Sequence, residues 1–112
     1  MSHNQFQFIG NLTRDTDVRH SENSVRAVFD LAVNRVWRDR AGEKKEQTDF
    51  FRIKSFAGLA ENAGKFLGKA SKVFVQGRIE PTKFEKEGQT EYGFDFIADV
   101  IEYLDTKEPG GK

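Results

Sequence analysis

The sequence predicts a single all-β domain that carries one short helix. Runs in which apolar and polar residues alternate recur along the chain, as in strands with one buried face. One stretch has apolar residues at helical spacing instead, and glycine-bearing polar segments separate the runs. At 112 residues the chain can bury one core. We expect a domain over 1–105 and a flexible tail over 106–112.

The first strand is predicted in NQFQFIGNL, at 4–12, where Phe6, Phe8 and Leu12 share one phase. Gly10 lies in the same phase and predicts a bend or the close approach of another backbone. The polar residues that follow, at 13–24, are typical of turns.

The second strand is predicted at 25–37, and a charged loop that turns at Gly42 leads to the third, TDFFRIKSF at 48–56. One face of the third strand is predicted to lie in the core and consists of Phe51, Ile53 and Ser55. The other face alternates rings with cations and consists of Phe50, Arg52, Lys54 and Phe56. Such a face is typical neither of a core nor of an ordinary solvated surface.

The period then changes to that of a helix in GLAENAGKFLG, where Gly68 is predicted as the C-terminal cap. A fourth strand is predicted at 72–79, a hairpin containing Gly88 at 83–94, and a fifth strand at 91–104. This order is that of a five-stranded Greek-key barrel of the OB type, with the helix between strands three and four. An open sandwich, or a meander packed on one helix, fits the same pattern.

Composition excludes several classes of protein. The chain has no cysteine, which rules out disulfides and thiolate metal sites. Neither a signal peptide nor a run of about 20 apolar residues is found, so we expect a cytoplasmic protein without a membrane segment. Net charge is zero, but residues 35–86 carry 13 basic and 7 acidic side chains. A local basic region can hold a phosphate backbone although the total charge is neutral.

The sequence has no recognisable catalytic arrangement. His3 and His20 are isolated, and the glycine spacing of GKFLGKAS, at 64–71, is wrong for a phosphate-binding loop. Asp95 and Asp99 can face the same way on one strand, where such pairs are usually solvated. We therefore expect a protein that is not an enzyme and needs no cofactor or metal.

Interleaved aromatic and basic residues are the remaining signal. Unpaired bases stack on rings with about 1–3 kcal/mol per base, and the phosphates between them require Arg or Lys. The candidate stacking rings are Trp37, Phe50, Phe56 and Phe84. The candidate phosphate-binding cations are Arg35, Arg38, Arg52, Lys54, Lys83 and Lys86. This pattern predicts a sequence-tolerant binder of an unpaired nucleic-acid strand.

Over residues 4–104 the chain resembles the bacterial single-stranded DNA-binding proteins. The resemblance is carried by GNLTRDTDVRH, VWRDRAGEKKEQTDFFRIKSFAGLAE and KVFVQGRIEPTKFEKEGQTEYGF. It implies an OB barrel, a homotetramer around which single-stranded DNA wraps, and base stacking on the four rings named above. Positions 50 and 84 are tryptophan in well-known members and phenylalanine here, where stacking should persist on a smaller ring.

The resemblance also bears on assembly. Phe51 stands where the family commonly has histidine, at a position tied to subunit contacts, and the edge formed by Gln5, Phe6 and Gln7 is expected to pair between subunits. Family members usually continue into a linker with an acidic tip that recruits host replication proteins. The sequence instead resembles the short tailless forms found on conjugative plasmids and other mobile elements, so that recruitment is not expected.

The expected function is protection of single-stranded DNA in replication, recombination, repair or plasmid transfer. Two alternatives remain at this point. One is an OB-fold binder of single-stranded RNA. The other is a primosome adaptor whose aromatic face docks a protein.

Overall fold

The computed structural model describes residues 2–110 and consists of six strands and one helix. The strands are β1 (Phe6–Leu12), β2 (Asp17–Ser21), β3 (Ser24–Arg38), β4 (Lys44–Phe56), β5 (Lys72–Lys86) and β6 (Gln89–Asp105). The helix α1 (Ala57–Phe66) lies between β4 and β5, as predicted.

Five of the strands close into a ring. β1 pairs with β5, β5 with β6, and β3 with β4, all antiparallel, while β4 pairs with β6 in parallel. The ring closes where Asn11 and Leu12 of β1 pair with Ala32 and Leu31 of β3. This arrangement confirms the predicted OB-type barrel with its helix after the third strand of the ring.

The strand outside the ring, β2, corrects the prediction that residues 13–24 form only turns. Asp17–Ser21 pairs antiparallel with the start of β3, from Asp17 opposite Val28 to Ser21 opposite Ser24. Only Val18 in this strand is half-buried, and the other four side chains are exposed. β2 therefore lacks the alternation of apolar and polar residues by which a strand is recognised in a sequence. It is held mainly by its backbone pairing with β3.

The two long hairpins extend beyond the barrel. β5 and β6 pair almost continuously from Lys72 to Lys86, and only Glu87 and Gly88, both with positive φ, form the turn. The predicted fourth and fifth strands are therefore longer than expected and include the segment that was predicted as the hairpin between them. The radius of gyration is 16.2 Å, against about 13 Å for a compact chain of this length, which is consistent with two projecting hairpin ends. We call these ends the β3–β4 arm (34–48) and the β5–β6 arm (81–94).

The barrel interior combines aliphatic residues with a cluster of four phenylalanines. The largest fully buried apolar side chains are Phe29, Leu31, Ile53, Leu67, Val73 and Val75. In the cluster, the ring of Phe51 stacks on that of Phe8 at 4.2 Å and meets Phe96 edge-on at 5.5 Å, and Phe6 contacts both Phe8 and Phe96. Such aromatic pairs stabilise by about 0.5–1.5 kcal/mol beyond the area they bury.

Glycines permit two close approaches between strands. A Cβ on Gly77 would lie 1.8 Å from the carbonyl oxygen of Ile97, at a register shift between β5 and β6. A Cβ on Gly10 would lie 2.3 Å from the carbonyl oxygen of Ala32, where β1 meets β3. The close backbone approach predicted for Gly10 is thus confirmed.

The end of the helix differs from the prediction. The helix ends at Phe66, and its C-terminal cap is Leu67, whose backbone is extended and whose N–H donates to the carbonyl of Ala63 at 2.9 Å. Gly68 is buried and donates its N–H to the carbonyl of Lys107 at 2.6 Å. It is close packing against this later backbone, and not a left-handed cap, that requires glycine at 68.

Hydrogen bonds connect residues 106–110 to the barrel. The Ser71 hydroxyl donates to the carbonyl of Lys107 at 3.0 Å and accepts its N–H at 2.9 Å, while the N–H of Gly110 donates to Asp15 at 3.1 Å. Residues 111–112 lie outside the described part of the chain. The division into a domain at 1–105 and a flexible tail at 106–112 stays a prediction.

Truncation of Ile53 tests the phase of β4. Ile53 is fully buried, so Ile53→Ala should open a cavity and lower the free energy of unfolding by roughly 2–5 kcal/mol. Phe50→Ala on the same strand is the control, because its ring is exposed and the change should be close to neutral. Thermal and denaturant melts measure both. A larger loss in the Phe50 variant would mean that the phase is shifted by one residue.

Candidate nucleic-acid interface

β4 has one buried face and one exposed aromatic face. The side chains of Ile53 and Ser55 are completely buried, whereas Phe50 is 67% and Phe56 45% exposed. Large rings with this exposure lie on a strand that is paired along its whole length with β3. The predicted phase is therefore confirmed, and it places two rings on a rigid wall of the barrel.

The register of β3 determines the neighbours of these rings. In an antiparallel pair, residues directly opposite each other project to the same face. On that face Phe50 lies opposite Ala32, Arg52 opposite Asp30, Lys54 opposite Val28, and Phe56 opposite Arg26. We call this surface the β3–β4 face, and it consists of Arg26, Val28, Asp30, Ala32, Phe50, Arg52, Lys54 and Phe56.

Asp30 forms the centre of an ion-pair cluster on the β3–β4 face. Its carboxylate accepts hydrogen bonds from Arg52 Nε at 3.0 Å and Nη2 at 3.4 Å, and from Arg14 Nη2 at 2.8 Å. The hydrogen bonds from Arg52, with a smaller contribution from Arg14, lower the pKa of Asp30. The same contact raises the pKa of Arg52. Asp30 therefore remains ionised at neutral pH and holds both guanidinium groups over the sheet.

Other predicted phosphate-binding cations also have partners within the chain. Lys54 Nζ lies 2.9 Å from Asp95, and Arg35 Nε lies 2.6 Å from Asp49. Arg38 donates to the carbonyl of Gly42 at 2.9 Å and closes the turn of the β3–β4 arm. These contacts orient the cations, and a phosphate that binds Arg35 or Lys54 must compete with the carboxylate already paired there.

Trp37 does not lie on the β3–β4 face. It is opposite Lys45 and follows the phase of Leu31 and Val33, so it projects from the other side of the β3–β4 arm. The Arg35 guanidinium carbon lies 5.0 Å from the centre of the indole, in cation–π contact. Arg35 and Trp37 are therefore in contact, but the indole is separated from Phe50 by the thickness of the ribbon.

Phe84 lies on the other arm. It is half exposed and faces Glu91, while Lys83 lies opposite Tyr92 and Lys86 opposite Gln89. Because successive side chains alternate, Lys86 shares the face of Phe84 and Lys83 projects from the opposite face. Neither lysine forms an ion pair within residues 2–110.

The structure adds cations that the sequence interpretation did not identify. An open groove of about 500 Å³ lies on part of the β3–β4 face and is lined by Arg14, Arg19, Arg26, Arg52 and Lys54, together with Asp15, Asp17 and Asp30. Arg26 has the same alternating phase in its strand as Asp30, so its exposed position was visible in the sequence. Arg19 was missed because β2 was not recognised as a strand.

Two further aromatic side chains were also missed. Tyr92 and Phe94, on the β5–β6 arm, are 75% and 70% exposed, more than any predicted stacking ring. They share the phase of Phe96, which packs in the interior, but they lie where β6 has left the barrel. Alternation in the sequence gives the phase of such residues. It does not give the point at which the strand leaves the barrel and its inner face becomes exposed.

The residues predicted at a subunit interface differ in accessibility. The ring of Phe6 is buried, so only its backbone is available for pairing between subunits, and Phe51 is half-buried in the phenylalanine cluster. Gln7 is exposed and donates to the side chain of Gln76 at 3.0 Å, and Gln5 contacts His3 at 3.3 Å. Their role in assembly stays a prediction.

Residues 2–110 contain no cluster of His, Cys, Asp or Glu that could hold a metal ion. No helix in this part of the chain is long and apolar enough to cross a membrane.

Comparison with known sequences gives a consistent family. The single-stranded DNA-binding protein 1 of Xylella fastidiosa (strain 9a5c) is 34% identical over 112 residues, which cover 97% of this chain and 82% of that protein. The single-stranded DNA-binding protein 1 of Staphylococcus aureus (strain Mu50) is 41% identical over 106 residues, covering 93% of this chain and 67% of the relative.

Solved structures agree with the sequences. The SSB of Plasmodium falciparum, in its complex with ssDNA, superposes with a TM-score of 0.84 at 29% identity and covers 94% of this chain and 97% of that one. The small single-stranded DNA-binding protein of Streptomyces coelicolor gives a TM-score of 0.73 at 28% identity, covering 93% and 96%. The model of the single-strand binding protein family matches residues 3–104. The chain therefore belongs to the single-strand binding protein family.

Proposed function

We propose that this chain binds and protects single-stranded DNA with little preference for sequence. The observation that carries the proposal is the β3–β4 face, where Phe50 and Phe56 stand exposed on a rigid wall with cations between them. As a member of its family the chain is a binding protein and not an enzyme. No cofactor takes part in the proposed function.

Base stacking supplies the contact that duplex DNA cannot make. The two rings on β4 are six residues apart, or about 20 Å along the strand, and each offers a free π-face to an unpaired base. Because every base has such a face, stacking is tolerant of sequence and contributes about 1–3 kcal/mol per base. Bases within a duplex are already stacked on one another and are not available to the rings.

Phosphate contacts complete the proposed interface. Arg52 and Lys54 lie between the two rings, and each is held by a half-buried carboxylate that a phosphate can replace. Arg35 on the face of Trp37 and Lys86 on the face of Phe84 extend the contact along the two arms, and Arg38 and Lys83 lie on the opposite faces of those arms. We therefore assign stacking to the four predicted rings and phosphate binding to the six predicted cations, with the strand wrapped from the wall onto the arms.

The proposed biological setting follows from where single-stranded DNA occurs in the cell. Single-stranded DNA is exposed in the cytoplasm during replication, recombination, repair and plasmid transfer, and the chain would cover it there. Both relatives compared above are named for single-stranded DNA binding. No feature of the described residues favours the two alternatives, binding of single-stranded RNA or docking of a primosome protein.

We also propose that the chain assembles as a homotetramer. Two separate surfaces support this assembly. The outer edge of β1 is unpaired over Phe6–Gly10, and the outer face of β1, β5 and β6 exposes apolar residues in a sheet. That outer face consists of Gln7, Ile9, Phe74, Gln76, Val100, Glu102 and Leu104. Two distinct self-complementary contacts are what a tetramer with three two-fold axes requires.

Competition binding tests the proposed ligand. A labelled oligo-dT bound to the chain should be displaced by unlabelled oligo-dT, and at least about tenfold less effectively by duplex DNA of equal length, because only unpaired bases can stack. Affinity should fall steeply across a salt series. Oligo-rU is the control for the RNA alternative and should compete less well than oligo-dT. Equal competition by duplex and single strand would overturn the stacking interface.

Solution mass tests the proposed assembly. Light scattering at several concentrations should give about four times the 12.8 kDa mass of one chain. A mutation at the apolar sheet, Ile9→Glu, should reduce this mass because it introduces a charge into the proposed contact. A monomer mass for the unaltered chain at every concentration would rule the tetramer out. A dimer would keep one surface and remove the other.

A further inference from the structure

Arg19 of β2 and Arg26 of β3 are directly opposite each other at the end of the sheet. Phe56 of β4 lies opposite Arg26 on its other side, so the three side chains form one row across three strands. All three are exposed and project to the same face, since Val25 and Ala27 beside them are buried. The row therefore combines a free ring with two guanidinium groups.

This arrangement is unfavourable in the free protein. Like charges directly opposite each other in antiparallel strands destabilise the sheet. Arg26 forms no ion pair or side-chain hydrogen bond among residues 2–110, and Arg19 has only a loose contact with Asp17, at 3.6 Å between two exposed side chains. Arg14 and Arg52 in the same groove differ, because each of them forms an ion pair with Asp30. The groove thus has a compensated half and an uncompensated half.

Two hollows meet at the uncompensated pair. Arg19 and Arg26 line the groove described above and also a neighbouring hollow of about 370 Å³, which is bounded by His20, Ser21, Ser24 and Phe56. The hollow therefore places the serine hydroxyl groups and the two guanidinium groups beside the ring of Phe56. An anion seated between the two arginines would relieve their repulsion and accept hydrogen bonds from both.

We infer that Arg19 and Arg26 together bind one phosphate of the nucleotide whose base stacks on Phe56. The site rests on the proposed function and extends it, because it carries the strand past Phe56 to the edge strand β2. Guanidinium groups recognise any phosphate, so a free phosphate ion and a DNA phosphate share this chemistry. Only the DNA phosphate gains the adjoining stacking contact with Phe56.

Titration of charge-matched variants with oligo-dT tests the inference. Arg26→Ala should weaken binding about tenfold at low salt, because it removes a charge-assisted contact. The salt slope should fall by about 0.7, the value for one phosphate on a single strand. The loss should be equal for oligo-dT and oligo-dC, since a phosphate contact does not distinguish bases. Lys65→Ala, which removes an exposed cation on the helix, is the control and should leave both quantities unchanged.

Two further measurements separate a shared phosphate from a general loss of charge or of fold. If Arg19 and Arg26 hold the same phosphate, the double variant should lose less affinity than the product of the two single losses. Arg26→Ala should not lower the melting temperature of the free protein, because it relieves like-charge repulsion. Arg26→Lys should recover part of the affinity. Inorganic phosphate alone should protect the unaltered chain against melting more than it protects Arg26→Ala.

The outcomes distinguish this inference from the proposed function. If the unaltered chain binds oligo-dT and Arg26→Ala behaves like Lys65→Ala in affinity and salt slope, the phosphate site is wrong and the stacking interface stands. Independent losses in the double variant would contradict a single shared phosphate. Protection by inorganic phosphate without any change in oligo-dT binding would assign the pair to free anions and overturn the inference. Failure of the unaltered chain to bind oligo-dT would overturn both proposals.

Discussion

The antiparallel pairing of β3 with β4 is the interaction on which the rest of the structure depends. Thirteen consecutive residue pairs, from Arg26 opposite Phe56 to Arg38 opposite Lys44, run without a bulge. Since a slip of one residue would exchange the two faces of a strand, this register keeps Ile53 in the core and Phe50 in solvent. The same pairing continues into the β3–β4 arm, so the position of Trp37 is coupled to that of the barrel wall.

The interior explains how such rings can remain exposed. The barrel is filled by aliphatic residues and by the phenylalanine cluster of Phe6, Phe8, Phe51 and Phe96. The rings of Phe50 and Phe56 take no part in this core. Exposed rings are costly to leave in water and contribute nothing comparable to the core. On a wall already stabilised by its buried face, they are available to a ligand that brings its own apolar surfaces.

Electrostatics gives the interface two kinds of cation. Arg52 and Arg14 are held by Asp30, and Lys54 by Asp95, so a phosphate that displaces the carboxylate exchanges one ion pair for another. Arg26 needs no such exchange. Exchange of ion pairs lowers the net gain per phosphate and keeps the cations oriented in the free protein. We expect the balance between the two kinds to set how readily a strand is released.

The sequence predicted the strand order, the helix and the phase of β4, because alternation and helical spacing report directly on burial. It did not predict β2, whose side chains are almost all polar, nor the C-terminal cap at Leu67, after which Gly68 hydrogen-bonds to the distant Lys107. That Trp37 and Phe50 lie on opposite faces can be known only from the register between β3 and β4. The exposure of Tyr92 and Phe94 requires knowledge of where the barrel ends. These properties arise from tertiary contacts that no local pattern contains.

Ring truncation measured by oligo-dT titration tests most directly whether one face of β4 binds DNA while the other holds the fold. Phe50→Ala and Phe56→Ala should each weaken binding by about 1–3 kcal/mol while the melting temperature is retained. Phe51→Ala should lower stability or assembly first, because its ring stacks on Phe8 at 4.2 Å. Loss of DNA binding in a fully stable Phe51 variant, with unchanged binding in the Phe50 variant, would contradict the account.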